Sequence, residues 1–169
     1  MEKIESLYCA SSKIAGIHFK VFASHKGIRH VFINKEEGTV ESHDLINLHF
    51  DDPFLFNVFG ELSEYFNGKR KIFSVPLDLH GTDFQIKVWH ELIKIPFGKV
   101  ISYKTLSLKL GDEKLMRAVG RANGTNPVPV IVPCHRVINS DGTLGGYSAG
   151  IGIKKQLLEL EGALSMELF

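Results

Sequence analysis

The chain is short of cysteine, of long apolar runs and of net charge, and each shortage removes a class of protein. Cys9 and Cys134 are the only cysteines among 169 residues, too few for a disulfide framework, so a reduced intracellular compartment is expected. The longest uncharged apolar runs, such as Pro127 to Pro133, fall far short of the roughly 20 residues a membrane span needs. The opening Met1-Glu2-Lys3-Ile4-Glu5 lacks the basic-then-apolar pattern of a signal peptide. No internal repeat or low-complexity stretch is visible. Hydrophobic residues at 44% and charged residues at 23% exclude a disordered chain. What remains is a globular protein of one medium domain or two small ones, expected in the cytoplasm, or in the nucleus of a eukaryotic cell.

A net charge of +1 hides an asymmetry. Residues 1–80 carry 9 Lys/Arg against 11 Asp/Glu, whereas residues 81–169 carry 11 against 8. The span 99–140 alone holds Lys99, Lys104, Lys109, Lys114, Arg117, Arg121 and Arg136 against Asp112 and Glu113. A basic surface confined to one part of a near-neutral protein suits a polyanion at one face.

The first half reads as mixed α/β. Ile14 to Ala23 and Gly27 to Ile33 are β-branched and aromatic runs joined by a tight connection. Pro53 to Asn67 reads as one helix, started by Asp52-Pro53 and stopped by Asn67-Gly68. Lys69 to Leu79 reads as extended, and the boundary between halves is placed at His80-Gly81. The chain is thus divided into a first part, 1–80, read as α/β, and a second part, 81–169.

The second half is better punctuated. Thr82-Asp83-Phe84-Gln85 fits a capping box, and Phe84, Val88, Trp89, Leu92 and Ile95 follow at helical spacing until Pro96-Phe97-Gly98. Ser102 caps a helix over Tyr103 to Leu110. Asp112 caps a third, with Leu115, Ala118, Val119 and Ala122 as its apolar stripe and Asn123-Gly124 as its stop. These two helices around Gly111 have helix-turn-helix proportions. Lys114, Arg117 and Arg121 share the opposite face of the second of them. A last helix spans about Gly152 to Gly162.

Three prolines from Pro127 to Pro133 predict a stiff, extended segment that holds the following Cys134-His135-Arg136 in place. Cys134 reads either as a small buried hydrophobe or as a thiolate nucleophile favoured by His135, Arg136 and the basic helix. Neighbouring side chains of an extended chain point opposite ways, so His135 reaches Cys134 only across a turn or through a water. Glu161 lies beside the apolar stripe of the last helix and either orients His135 or frays into solvent. The glycine-rich stretch Ser140 to Gly150 lacks the P-loop signature and reads as a turn and a flexible wall over the site.

Ile131-Val132-Pro133-Cys134-His135-Arg136-Val137, with Asn126-Pro127 upstream and Gly146-Tyr147-Ser148 downstream, resembles the O6-alkylguanine-DNA alkyltransferases. Val100-Ile101-Ser102-Tyr103 and Arg117-Ala118-Val119-Gly120 match at the right separations. The resemblance is strong over about residues 82–162 and compatible elsewhere. It implies an α+β fold in which a small sheet-plus-helix domain supports a winged-helix-like helix-turn-helix domain. It implies one irreversible transfer of an alkyl group from O6 of guanine, with O4-alkylthymine as a further substrate, to Cys134.

On the same basis His135 is the base through a water, Glu161 holds it and Asn126 braces the turn. Tyr103 approaches the flipped base and helps protonate the leaving guanine. Val137, Tyr147, Ser148 and Pro129 line the pocket. Arg117 fills the stack in the minor groove, with Lys104, Lys114, Arg121 and Ser140 among the DNA contacts. Lys104 and Asn123 sit where members of the family differ. The implied partner is double-stranded DNA carrying O6-alkylguanine, met by a monomer able to bind cooperatively; no membrane partner and no cofactor are implied. Some members hold an N-terminal zinc, but Cys9, His18, His25 and His30 make no tetrahedral set, so no metal is expected. Two other readings stand beside this one, a damage sensor with an inert Cys134 and a Cys-His-Glu thiol hydrolase that turns over.

Overall fold

Ile14 and Ile17 pair across a two-residue connection in which Ala15 and Gly16 take positive φ, 50° and 80°, the twist that suits a tight hairpin. The hairpin joins β1 (Leu7–Ile14) to β2 (Ile17–Ser24). β3 (Gly27–Ile33) pairs antiparallel with β2, with a register shift between Phe22 and Ala23. The short β4 (Leu45–Asn47) lies parallel to β1, giving the order β3-β2-β1-β4. The computed structural model describes residues 6–35 and 45–164; Met1 to Glu5, on which the signal-peptide expectation rests, lie outside the described residues. The run expected to begin a strand at Ile14 therefore contains a turn, and Ile14 closes a strand that had not been foreseen.

β2 is central, and its Phe19, Val21, Phe22 and Ala23 are fully buried. α1 (Val58–Phe66) covers β1 and buries Val58, Phe59, Leu62 and Tyr65, the spacing of an amphipathic helix. The single helix expected from Pro53 to Asn67 is in fact broken. Asp52 accepts from the Phe54 amide and starts a 3-10 turn, Pro53–Leu55, after which Phe56 and Asn57 both adopt left-handed φ, 54° and 60°. The segment expected to be extended from Lys69 is so only near its end. There Ile28 N–H donates to Pro76 O at 2.8 Å and Asp78 N–H to Ile28 O at 2.9 Å. Gly27 permits that approach, because a Cβ there would stand 2.5 Å from the Pro76 carbonyl oxygen. Asp78 is buried and accepts from Ser24 Oγ at 2.5 Å and Arg29 Nε at 3.1 Å.

The chain divides into two units, Met1–His80 and Gly81–Phe169. In the second, Thr82 and Gln85 form the reciprocal capping box at the start of α2 (Asp83–Ile93). Trp89 on this helix is buried, and its indole N–H donates to Ala122 O at 2.9 Å, fixing α2 on α4 (Met116–Gly124). Ser102 caps α3 (Tyr103–Lys109) through the Thr105 amide at 3.0 Å. Asp112 caps a 3-10 turn, Glu113–Leu115, rather than α4 itself, so the helix expected from Asp112 begins one turn later. On α4, Val119 and Ala122 are buried but Ala118 is exposed, so the apolar stripe is narrower than its spacing implied. Two-residue strands β5 (Ile101–Ser102) and β6 (Val137–Ile138) pair in parallel and set the start of α3 beside the chain that leaves Cys134. α5 (Ile151–Leu160) completes the unit. The α+β class, a sheet unit followed by a helical one, agrees with the sequence reading.

Candidate active site

The Asn126 to Pro133 segment is not the extended strut its prolines suggest. Proline fixes φ but leaves ψ free, and here the chain turns back so that Val132 N–H donates to Val128 O at 2.9 Å, with Val130 at φ 74°. Asn126 holds the turn with both arms of its amide. Its Oδ1 accepts from Val128 N–H at 3.0 Å and its Nδ2 donates to Val132 O at 2.8 Å. The stiffness expected before Cys134 is therefore present, but an asparagine clamp supplies it.

Cys134–Arg136 form a single 3-10 turn, and all three side chains are buried. Successive residues of such a turn diverge by about 120°, so His135 does not lie against its neighbour's thiol. His135 Nε2 contacts Glu161 Oε1 at 2.9 Å. Arg136 donates from Nε to Glu161 Oε2 at 2.9 Å and from its other guanidinium nitrogens to Glu161 Oε1 and Ile95 O. Gly98 N–H adds a fourth donor at 3.1 Å. An ionised carboxylate only accepts, so Nε2 carries the imidazole proton and the lone pair sits on Nδ1. Nδ1 is buried and has no protein partner.

The electrostatics follow from burial and pairing. Burial alone would raise the Glu161 carboxyl, but the hydrogen bonds and charges of His135 and Arg136 outweigh it and hold it at about 2. Burial lowers the His135 pKa against the pull of Glu161, so the imidazole is neutral and able to accept a proton. Burial pushes the Cys134 thiol up to about 11, with the Asn126 amide and the Lys154 charge drawing it down. The resting thiol is thus protonated. Arg136, expected to favour a thiolate and to belong to the basic face, instead spends its charge on Glu161.

Asp78 resembles Glu161: burial opposes ionisation, but Ser24, Arg29 and His80 hold it at about 2. A depressed native pKa contributes stability above the unfolded values of ~3.9 and ~4.3, lost as pH falls through the native value. Denaturant unfolding measured against pH should therefore show wild-type stability declining from about pH 5 towards pH 2, with a shallower decline in Glu161→Gln.

A cavity of about 310 Å³ opens onto Cys134. Tyr103 and Asn123 form one side, Tyr147 and Ser148 another, and Gly120, Gly124 and Gly146 leave its walls thin. Burial and the proximity of Cys134 raise the Tyr103 phenol, which stays protonated and able to donate. Val137 and Pro129, expected in the lining, are buried and are not among the residues that border it. Lys154 was not foreseen at all. It is fully buried on α5, with its ammonium donating to the carbonyls of Val137 at 2.7 Å, Leu144 and Gly146 at 3.3 Å. This ties the wall that carries Tyr147 and Ser148 to β6. Burial pulls its pKa down to about 8, with Cys134 acting the other way. A lysine three and four residues before the buried Leu157 and Leu158 was the available signal.

The basic face is exposed as expected at Lys114, Arg117 and Arg121, and Ser140 is exposed too. Lys104 pairs with Glu113 at 2.9 Å. With Arg136 withdrawn, six exposed cations of the 99–140 span face Asp112 and Glu113, a net of +4. A second cavity, of about 420 Å³, lies along α4 between Phe84, Arg117 and Arg121. Among the described residues no helix is long and apolar enough to cross a membrane, and no three His, Cys, Asp or Glu side chains converge as metal ligands.

Residues 83–163 match the family model described as 6-O-methylguanine DNA methyltransferase, DNA binding domain, and residues 13–79 match the ribonuclease-like domain of the same protein. A methylated-DNA–protein-cysteine methyltransferase of Methanosarcina barkeri is 41% identical over 139 residues, 82% of this chain and 86% of the relative. The inducible methylated-DNA–protein-cysteine methyltransferase of Bacillus subtilis is 44% identical over 118 residues, 70% of this chain and 66% of the relative. The crystal structure of the Mycobacterium tuberculosis O6-methylguanine methyltransferase superposes with a TM-score of 0.82 at 33% identity, covering 94% of each chain. The structure of Mycobacterium tuberculosis OGT in complex with DNA gives 0.79 at 36% identity, covering 94% of this chain and 93% of that one.

Proposed function

From the premise that the chain belongs to the 6-O-methylguanine DNA methyltransferase family, we propose that it repairs DNA by moving the alkyl group of O6-alkylguanine onto Cys134, once per molecule. The observation that carries this reading is the buried Cys134–His135–Glu161 arrangement at the floor of a cavity flanked by a basic helix. The target oxygen is inaccessible inside a duplex, so the nucleotide must leave the stack at a cost of a few kcal/mol. Arg117 fills the gap it leaves, while Lys114, Arg121 and Ser140 meet the backbone, with Lys104 beside them.

In the cavity a water relays the Cys134 proton to Nδ1 of His135, which Glu161 holds in the productive tautomer. The thiolate attacks the alkyl carbon in line. The Sγ–C bond forms, the C–O6 bond breaks, and its electron pair stays on the base. Tyr103 supplies a proton to the base, which is left in the strand as ordinary guanine. Asn126 keeps the turn rigid, the backbone near Val137 and the side chains of Tyr147 and Ser148 orient the ring, and Pro129 packs behind. No cofactor enters these steps, and the carbon–sulfur bond formed leaves no route to turnover. That distinguishes the reading from a thiol hydrolase, which leaves the basic helix without a role. Domains 1–80 and 81–169 then divide into support and chemistry, in a protein acting as a monomer in the compartment that holds the DNA.

Intact mass and peptide mapping after mixing with an oligonucleotide containing one O6-methylguanine test the proposal. One methyl on Cys134, saturating at one per protein, is expected; binding without a change of mass would leave a sensor. Arg117→Ala should slow transfer from the modified base in duplex DNA about tenfold or more, the scale of losing a base-stack contact, and leave reaction with the free modified base unchanged. Equal losses on both substrates would remove Arg117 from base extrusion.

A further inference from the structure

Lys104 lies on the first turn of α3, next to Tyr103, and differs from the other exposed cations of the 99–140 span. Among the described residues Lys99, Lys109, Lys114, Arg117 and Arg121 have no carboxylate partner, whereas Lys104 Nζ meets Glu113 Oε1 at 2.9 Å. Glu113 opens the 3-10 turn between α3 and α4, and Asp112 fixes that turn by accepting from the Lys114 amide at 2.8 Å. The two acids of the span therefore differ in duty. Asp112 satisfies a backbone donor. The Glu113 carboxylate, among the described residues, is held by Lys104 alone. Lys104 and Glu113 are 48% and 49% exposed, and an ion pair so exposed adds little to stability.

Its place among unpaired cations gives it another use, which rests on the alkyltransferase reading, in which this face meets the DNA backbone. A carboxylate oxygen 2.9 Å from an ammonium stands where a phosphate oxygen would stand. A phosphate does not share that place readily, because two anions drawn to one ammonium repel each other at close range. Glu113 is exposed enough to swing aside, so the exchange needs no change of fold. We propose that Glu113 is an internal competitor for the DNA backbone, holding Lys104 until a phosphate displaces it. A phosphate contact carries no sequence information, so the exchange is blind to sequence and to damage alike. It weakens binding to every duplex by one factor, and leaves the choice between damaged and undamaged DNA to the cavity at Cys134.

The test is a set of fluorescence-anisotropy titrations over a salt series, with an unmodified duplex and one carrying O6-methylguanine. The proteins are the wild type, Glu113→Gln and Glu113→Ala, the last guarding against a folding defect in either variant, and each again with Lys104→Met. Both Glu113 variants should bind both duplexes about threefold to fivefold tighter, the scale of an exposed ion pair. Their plots of log affinity against log salt should be steeper by about one, since one more phosphate contact then releases a counterion. With Lys104→Met the gain should vanish. Unchanged or weaker affinity in both Glu113 variants would overturn the proposal, as would a gain confined to the damaged duplex. An equal gain with and without Lys104 would overturn it too, because Glu113 would then only repel phosphates from a distance. Failure of the wild type to bind either duplex would instead sink the alkyltransferase reading, and the inference with it.

Discussion

Cys134→Ala is expected to abolish alkyl transfer completely while leaving affinity for alkylated duplex intact. The side chain is small, 2% exposed and held in a turn set by backbone bonds and the Asn126 clamp, so its sulfur can be removed without moving the basic helix. No other side chain lining the cavity replaces it. Tyr103 is kept protonated by burial, and the hydroxyl of Ser148 is a far weaker nucleophile than a thiolate. Electrophoretic mobility with a duplex carrying O6-methylguanine, paired with mass spectrometry of the protein, separates binding from chemistry. Loss of binding along with transfer would mean that Cys134 also supports the DNA-binding surface.

Glu161→Gln should be nearly as severe by a different route. The carboxylate balances the buried Arg136 and fixes the His135 tautomer. Removing the charge leaves a guanidinium buried and uncompensated, which typically costs about 3–5 kcal/mol. It also frees the imidazole to present a protonated Nδ1, and misplacing a general base lowers a rate by roughly a hundredfold to ten-thousandfold. Adding Arg136→Met to Glu161→Gln separates the two effects. Denaturant unfolding should recover much of the lost stability, while the transfer rate stays low. Recovery of both would mean that Glu161 serves only to neutralise Arg136.

How much of this was legible in the sequence depended on whether an element carries its own punctuation. α2 and α3 announce themselves through Thr82, Gln85 and Ser102, side chains that satisfy the amides a helix start leaves open. β1 carries no such mark. Its Leu-Tyr-Cys-Ala-Ser-Ser-Lys-Ile has little β-branched character, and it is a strand because β2 and β4 pair with it. Asp112 was read as the cap of α4, yet it caps only the preceding 3-10 turn. The chemical site was partly legible. Cys134 and His135 stood out by type and neighbours, whereas the position of Glu161 on its helix left burial and exposure open. What decided it was a set of donors 25, 26 and 63 residues away, a distance local periodicity does not reach. Asn126 shows the same limit in reverse, since three prolines pointed to a straight segment and one amide bent it.

The placement of Glu161 has a consequence in time. The ribosome completes Cys134 and His135 before it adds the carboxylate that His135 needs, 26 residues later, an interval of seconds at ~5–20 residues per second. Until α5 is made and docks, nothing holds the imidazole's orientation, and no buried lysine ties the pocket wall to β6. The nascent chain thus carries an ordinary cysteine, and the chemistry directed by His135 arrives with the last helix, as a property of the finished molecule.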